Sequence, residues 1–216
     1  MHGLRAHAAQ PVRPSCFLLL EMQRRMTTGE DAMTGHVLVL GGARSGKTAF
    51  AEQLAIRSGR KPAYLATAEA LDAEMRDRVA SHKAGRGDRF TTIEEPLALS
   101  DALVAAAKKH DVILVDCLTL WITNLLVANE DVAKAVSELG ATLVQLKNVR
   151  VILVSNEVGL GIVPDNAMAR TFRDLAGSAH QRLAEICHDV HFIVAGLPMT
   201  LKGDAAGREE PRIHEA

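Results

Sequence analysis

From about residue 35 onward, short apolar runs alternate with longer stretches in which apolar positions recur at helical spacing. Predominantly apolar runs cover residues 36–40, 63–67, 112–117, 149–155 and 190–195, with weaker ones at 89–93 and 199–202. Runs of this length with few polar interruptions predict strands covered on both faces, the habit of parallel sheets. Residues 47–58, 70–84, 97–109, 131–147 and 167–187 predict helices; in the first of these, Phe50 and Leu54 share one face. The alternation predicts an α/β, three-layer fold with a mostly parallel central sheet and right-handed crossovers. In such sheets ligands bind beyond the carboxyl ends of the strands. The segments after Leu40, Thr67, Asp116 and Ser155 are therefore expected to converge on one site.

Composition narrows this picture. With 216 residues, the chain suits one sizeable domain, expected over 35–202, where no repeat or linker intervenes. Apolar residues make up 48% but aromatics only 3%, so the core is built from Val, Leu, Ile and Ala. Residues 1–34 mix Pro, Arg and His around one apolar run, 16–20, too short to span a bilayer. They are expected to be a disordered extension, with Met26 or Met33 as alternative starts, and 203–216 a frayed tail. A net charge of -1 gives no general attraction to nucleic acid or to a membrane, so neither is expected as a partner. Cys16, Cys117 and Cys187 are odd in number and widely spaced, which fits neither a disulfide framework nor a metal site and points to the cytoplasm.

The chemistry starts directly after the first apolar run. Gly41-Gly42-Ala43-Arg44-Ser45-Gly46-Lys47-Thr48 matches the phosphate-loop pattern G-x-x-x-x-G-K-[ST], between an expected strand and an expected helix. Glycines let the backbone turn its N–H groups inward on an anion, and the helix N-terminus adds roughly half a positive charge. Lys47 brings a full charge for the outer phosphates, and the Thr48 hydroxyl suits Mg²⁺. A nucleoside triphosphate, ATP or GTP, is the expected ligand. Asp116 ends the run Val112 to Val115 and has the shape of the acid that holds Mg²⁺ beside such a loop; it could equally cap the next helix. At the end of the second strand, Thr67, Ala68 and Glu69 are expected to face the same crevice.

Three further segments carry a resemblance: YLATAEALDAEMRDRVASHKAGRGDRFTTIEE at 64–95, VDCLTLWITNLL at 115–126 and VSNEVGLGIVPDNAMARTFRDLAGSAHQRL at 154–182. With GGARSGKT they closely resemble the bifunctional adenosylcobinamide kinase / adenosylcobinamide-phosphate guanylyltransferase family of cobalamin biosynthesis, over about residues 36–202. The resemblance implies a RecA-like P-loop fold and two steps. A nucleoside triphosphate phosphorylates adenosylcobinamide, and GTP then donates GMP to that phosphate through a covalent histidine. The matching position is His82. A homo-oligomer, a trimer, with the corrinoid between subunits is implied as well.

Read from the residues alone, His82 continues the stripe of Leu71, Met75 and Val79 and could be a core histidine. Lys83, Arg86 and Arg89 cluster around Gly85-x-Gly87, a setting suited to phosphates that would keep an imidazole neutral and nucleophilic. Glu94 and Glu95 could cap the stretch that follows; the resemblance favours Glu94 as a guanosine-nucleotide contact. Asn156 and Glu157 open a loop with two glycines and a proline and could help orient substrate, with no role fixed by the sequence. Arg170 and Arg173 could form a solvated face, while the resemblance implies that this loop and helix lie near the nucleotide and corrinoid. His180 is assigned no catalysis. A kinase that moves only the γ-phosphoryl group, and a non-enzymatic nucleotide sensor, are the competing readings.

Overall fold

The computed structural model describes residues 35–59, 61–68 and 89–203. The expected helix at 70–84 and the extension at 1–34 lie outside them, as do His82, Lys83, Gly85, Arg86 and Glu69. Seven strands form one sheet: β1 (Val37–Gly41), β2 (Pro62–Ala66), β3 (Thr91–Glu94), β4 (Val112–Asp116), β5 (Arg150–Asn156), β6 (Asp189–Val194) and β7 (Leu197–Lys202). Their order is β3-β2-β4-β5-β1-β6-β7. All neighbouring pairs are parallel except β6 and β7, which form an antiparallel hairpin. The described helices are α1 (Lys47–Ser58), α2 (Leu99–Ala106), α3 (Leu118–Val127), α4 (Val132–Gln145) and α5 (Ala167–Ile186).

The strands alternate between two apolar layers. Val37, Val39, Tyr64, Leu114, Ile152 and Val154 pack with Ala51 and Ala55 of α1 on one face. On the other, Leu38, Leu65, Ile113, Val115, Val151 and Leu153 pack against α2 to α5 through Leu103, Trp121, Leu139 and Leu183, among others. Central strands covered on both faces have no need of a polar alternation, which is why they read as continuous apolar runs. Two helices start on side-chain caps that satisfy otherwise unpaired N–H groups. Asp131 accepts from Lys134 N at the head of α4, and Asn166 accepts from Met168 N and Ala169 N at the head of α5.

The mostly parallel three-layer fold is the one expected, and the strand order carries it further. One strand, β5, separates the phosphate-loop strand β1 from β4, the strand ending in Asp116. That insertion is the RecA-like arrangement of P-loop proteins. Two local differences stand out. Helix α3 was not anticipated, because its residues are buried on several sides and show no clean period. The last strand starts at Leu197 and not at 199, since an edge strand tolerates Pro198. Within β6, His191 has its ring 5.2 Å from that of Phe50.

Candidate active site

Strand β1 delivers Gly41 to the carboxyl edge of the sheet, and the chain turns through 42–46 into α1. Close packing explains two of the glycines. A Cβ on Gly41 would lie 2.7 Å from the Ile193 carbonyl oxygen, and Gly46 is left-handed, with φ 92°. Gly196, in the β6–β7 turn, donates its N–H to Ser45 O at 2.8 Å, so the hairpin buttresses the loop from behind. Lys47 is buried, 8% exposed, and its Nζ donates to Gly42 O at 3.1 Å, which curls the ammonium across the loop. Ala43, Arg44 and Gly46 are exposed on its outer side.

Asp116 comes to this loop across 68 residues of sequence: Thr48 Oγ1 lies 3.4 Å from Asp116 Oδ2. The same Oδ2 accepts a short hydrogen bond from the Tyr64 hydroxyl. Asp116 does not cap α3, whose N-cap is Cys117 with no side-chain cap bond. Among the described residues no three His, Cys, Asp or Glu gather into a metal cluster. A hydroxyl and a carboxylate are hard oxygen donors, and Mg²⁺ commonly takes one or two protein oxygens together with phosphates and waters. Thr48 and Asp116 therefore fit a magnesium ion that arrives with a nucleotide.

The exit of β2 is fastened to the exit of β4. Thr67 N donates to Asp116 O at 3.1 Å, and the Thr67 hydroxyl donates to Cys117 O at 2.8 Å while accepting from Cys117 N at 2.9 Å. Asn124 of α3 donates to Thr67 O at 2.8 Å and Pro96 O at 3.1 Å. Burial, reinforced by the neighbouring Asp116, pushes the Cys117 thiol above its ordinary pKa, so it stays protonated. Thr67 is fully buried and acts as a fastener, while Ala68 stands half-buried at the mouth. Glu94 ends β3 in register with Ala66. Glu95 fastens the turn ahead of α2, accepting from Leu97 N at 3.0 Å and Ala98 N at 2.8 Å.

Beside the loop opens a cavity of about 830 Å³. Ala43, Arg44 and Lys47 form one part of its wall, and Thr119, Leu120 and Thr123 of α3 another. Asn156, Glu157, Val158 and Phe172 complete it. Asn156 is held by its amide, which donates to Thr119 Oγ1 at 2.9 Å. Beyond it, Leu160, Ile162 (97% exposed) and Val163 present apolar side chains to solvent. On α5 the solvated-face alternative suits one of the two arginines. Arg173 pairs with its exposed neighbour Asp174, but Arg170 donates to Pro164 O at 2.9 Å and Asp165 O at 2.7 Å and so pins the loop.

A family model described as cobinamide kinase / cobinamide phosphate guanyltransferase matches residues 37–201. The chain belongs to that family. Its members are transferases, and this chain is one of these enzymes. The bifunctional adenosylcobalamin biosynthesis protein CobP of Pseudomonas aeruginosa is 51% identical over 169 residues, covering 77% of this chain and 97% of that one. The corresponding CobU of Salmonella typhimurium is 39% identical over 180 residues, covering 77% and 99%. Among solved structures, the flagellar accessory protein FlaH of Methanocaldococcus jannaschii matches with a TM-score of 0.47 and 14% identity over 80% of each chain.

Sequence reasoning in this family of transferases finds contiguous motifs and misses long-range partners. The Tyr64 hydroxyl on Asp116 left no signal, and neither did the buried pairing of Ser155 with His180 at 2.7 Å. His36 was missed as well; it lies beneath the sheet's opposite edge, with Nε2 2.7 Å from Leu143 O. No described helix is long and apolar enough to cross a membrane.

Proposed function

We propose that this enzyme phosphorylates adenosylcobinamide with ATP or GTP and then transfers GMP from GTP to adenosylcobinamide phosphate, giving adenosyl-GDP-cobinamide and pyrophosphate. The observation that carries the first step is the joint placement of Lys47, Thr48 and Asp116 beside an 830 Å³ cavity large enough for part of a bulky acceptor. Phosphoryl transfer asks little covalent chemistry of the protein; it needs positioning and charge neutralisation. The loop N–H groups and Lys47 hold the β- and γ-phosphates, and Thr48 and Asp116 would hold Mg²⁺, which would supply charge neutralisation to those phosphates when bound.

For the second step, His82 is the guanylyl carrier. An imidazole nitrogen attacks the α-phosphorus of GTP, the bond to the bridging oxygen breaks, and pyrophosphate leaves. An oxygen of adenosylcobinamide phosphate then attacks the same phosphorus and releases the imidazole. Lys83, Gly85 and Arg86 receive phosphate charge, and Glu94, together with Ala68 and Glu69, contacts the guanosine nucleotide; Thr67, fully buried, holds the two strand exits together instead. Exposed Leu160, Ile162 and Val163 supply apolar surface beside the cavity for the corrinoid and for a neighbouring subunit of a trimer.

The test uses α-labelled GTP with Mg²⁺. Wild-type protein should retain acid-labile, base-stable label and His82→Ala should retain none. Equal labelling of the two would remove His82 from the mechanism, and phosphorylation without any guanylyl transfer would leave a simple kinase.

A further inference from the structure

Glu157 is the one carboxylate among the described residues that line the cavity beside Lys47. It is unusually well fixed for a loop residue. Its N–H donates to Gly41 O at 3.0 Å, stitching it to the first residue of the phosphate loop. Its Oε1 accepts from Gly159 N, and its Oε2 lies 3.8 Å from Nδ1 of His180. On the far side of that ring, Nε2 is 2.7 Å from Ser155 Oγ. His180 is 6% exposed and Ser155 fully buried, so the serine is out of reach of any substrate and is no nucleophile despite the Ser-His-Glu order.

We propose that Glu157 accepts the proton of the hydroxyl that receives the γ-phosphoryl group, and that the buried His180–Ser155 pair positions its carboxylate. This rests on the kinase reading of the cavity given above. The other acid of the site is already committed: Asp116 accepts from Tyr64 and Thr48. Glu157 shares the cavity with Lys47, and an acceptor that enters there meets both the phosphate side and a base. In the step, the acceptor O–H bond breaks and its proton passes to a Glu157 oxygen. The oxygen's electron pair forms the bond to the γ-phosphorus. The bond from that phosphorus to the bridging oxygen breaks, and the nucleoside diphosphate leaves with its electrons.

A neutral His180 suits this role. With its proton on Nδ1 it turns an N–H toward Glu157, 3.8 Å away, and accepts the Ser155 hydroxyl on Nε2. Burial lowers the ring's pKa, with Glu157 opposing. An imidazolium there would pair with the carboxylate and blunt it as a base. The neutral ring orients the carboxylate without neutralising it.

The experiment measures the two steps separately: phosphorylation of adenosylcobinamide from γ-labelled ATP, and guanylyl transfer to adenosylcobinamide phosphate supplied ready-made. Glu157→Gln should lower kcat of phosphorylation about 10²- to 10⁴-fold, the usual range for a lost general base. Its nucleotide affinity and its guanylyl transfer should stay within threefold of wild type. His180→Asn, which keeps an N–H donor, should lose less of that kcat than His180→Leu, with KM for the acceptor unchanged in both. Phosphorylation by Glu157→Gln within threefold of wild type overturns the assignment, as does an equal loss of both steps. A wild-type protein that transfers guanylyl groups but never phosphorylates overturns the kinase reading itself, and this inference with it.

Discussion

Replacing Gly46 with Ala perturbs the phosphate loop at a point where backbone shape and packing are both constrained. Gly46 sits at φ 92° and ψ 3°, a left-handed conformation that costs an L-residue about 1 kcal/mol or somewhat more. An added Cβ would also lie 3.2 Å from Gly196 Cα, and that neighbour is backbone, held by its own N–H bond to Ser45 O at 2.8 Å. Crowding against a fixed atom adds about 1 kcal/mol. The sum is about 2 kcal/mol, or a melting temperature lowered by roughly 4–8 °C for a domain of this size. If the loop instead opens to relieve the strain, stability recovers while the inward N–H groups lose their aim, and triphosphate affinity falls at least about tenfold, or ~1.4 kcal/mol. Urea unfolding and titration with a non-hydrolysable triphosphate read the two routes. Gly42→Ala is the control for folding: its added Cβ meets nothing within 4 Å, so stability should stay within about 0.5 kcal/mol. A Gly46→Ala protein that matches wild type in both stability and affinity would refute the argument.

Two further outcomes follow from the side chains. Asp116→Asn should leave nucleotide binding without Mg²⁺ nearly unchanged and abolish the gain that Mg²⁺ gives; calorimetric titrations with and without the ion check this, and an unchanged gain would remove Asp116 from the metal site. Stability should also fall in acid. His36 donates from Nε2 to Leu143 O and accepts from Val151 N at Nδ1, so a second proton would meet another donor. Its pKa is lowered by burial first and by Arg150 as well, with the Leu143 bond opposing. Between the folded value and the ordinary 6.5 the unfolded chain binds more protons, so this contribution is complete above about pH 6.5 and is lost as pH falls through the folded value. Burial lowers His180 and His191 in the same sense. Urea unfolding at pH 7.5 and 5.5 should show the loss, and His36→Gln should flatten part of it; a flat profile in the wild type would contradict the assignment.

What could be read from the sequence and what could not divides by a physical criterion. Strands β1, β4 and β5 were legible because burial on both faces demands apolar residues at every position, a signal independent of distant contacts. Helix α3 was not, because Leu118, Trp121, Ile122 and Leu125 are buried together with the polar Thr119 and Asn124, which erases the amphipathic stripe that marks a surface helix. The phosphate loop was legible since its function lies in eight consecutive residues. Tyr64 with Asp116, and Ser155 with His180, are pairs 52 and 25 residues apart, made only when separate elements meet. Asp116 was visible as a candidate but ambiguous between cap and metal partner until Thr48 and Tyr64 were seen to converge on it. Arg170 stayed open in the sequence because a charged helix position says nothing about the carbonyls of the loop beneath it.

The strand order itself determines where an acceptor can stand. With neighbouring strands about 4.8 Å apart, inserting β5 separates the ends of β1 and β4 by roughly 10 Å. The phosphate loop leaves β1 and the acid ends β4, yet Thr48 reaches back to Asp116, so this hydroxyl–carboxylate pair bridges that interval from the α1 side. The end of β5 occupies the middle of the interval, and its residues Asn156 and Glu157 line the cavity that α3 and Phe172 of α5 complete. Were β1 and β4 adjacent, no third strand would place side chains between the phosphates and the acid. The inserted strand thus supplies the acceptor side with an anchored amide and a carboxylate while leaving the phosphate side to Lys47. Its pairing with β1, continued by Glu157 N on Gly41 O, fixes the backbone from which that carboxylate projects into the cavity.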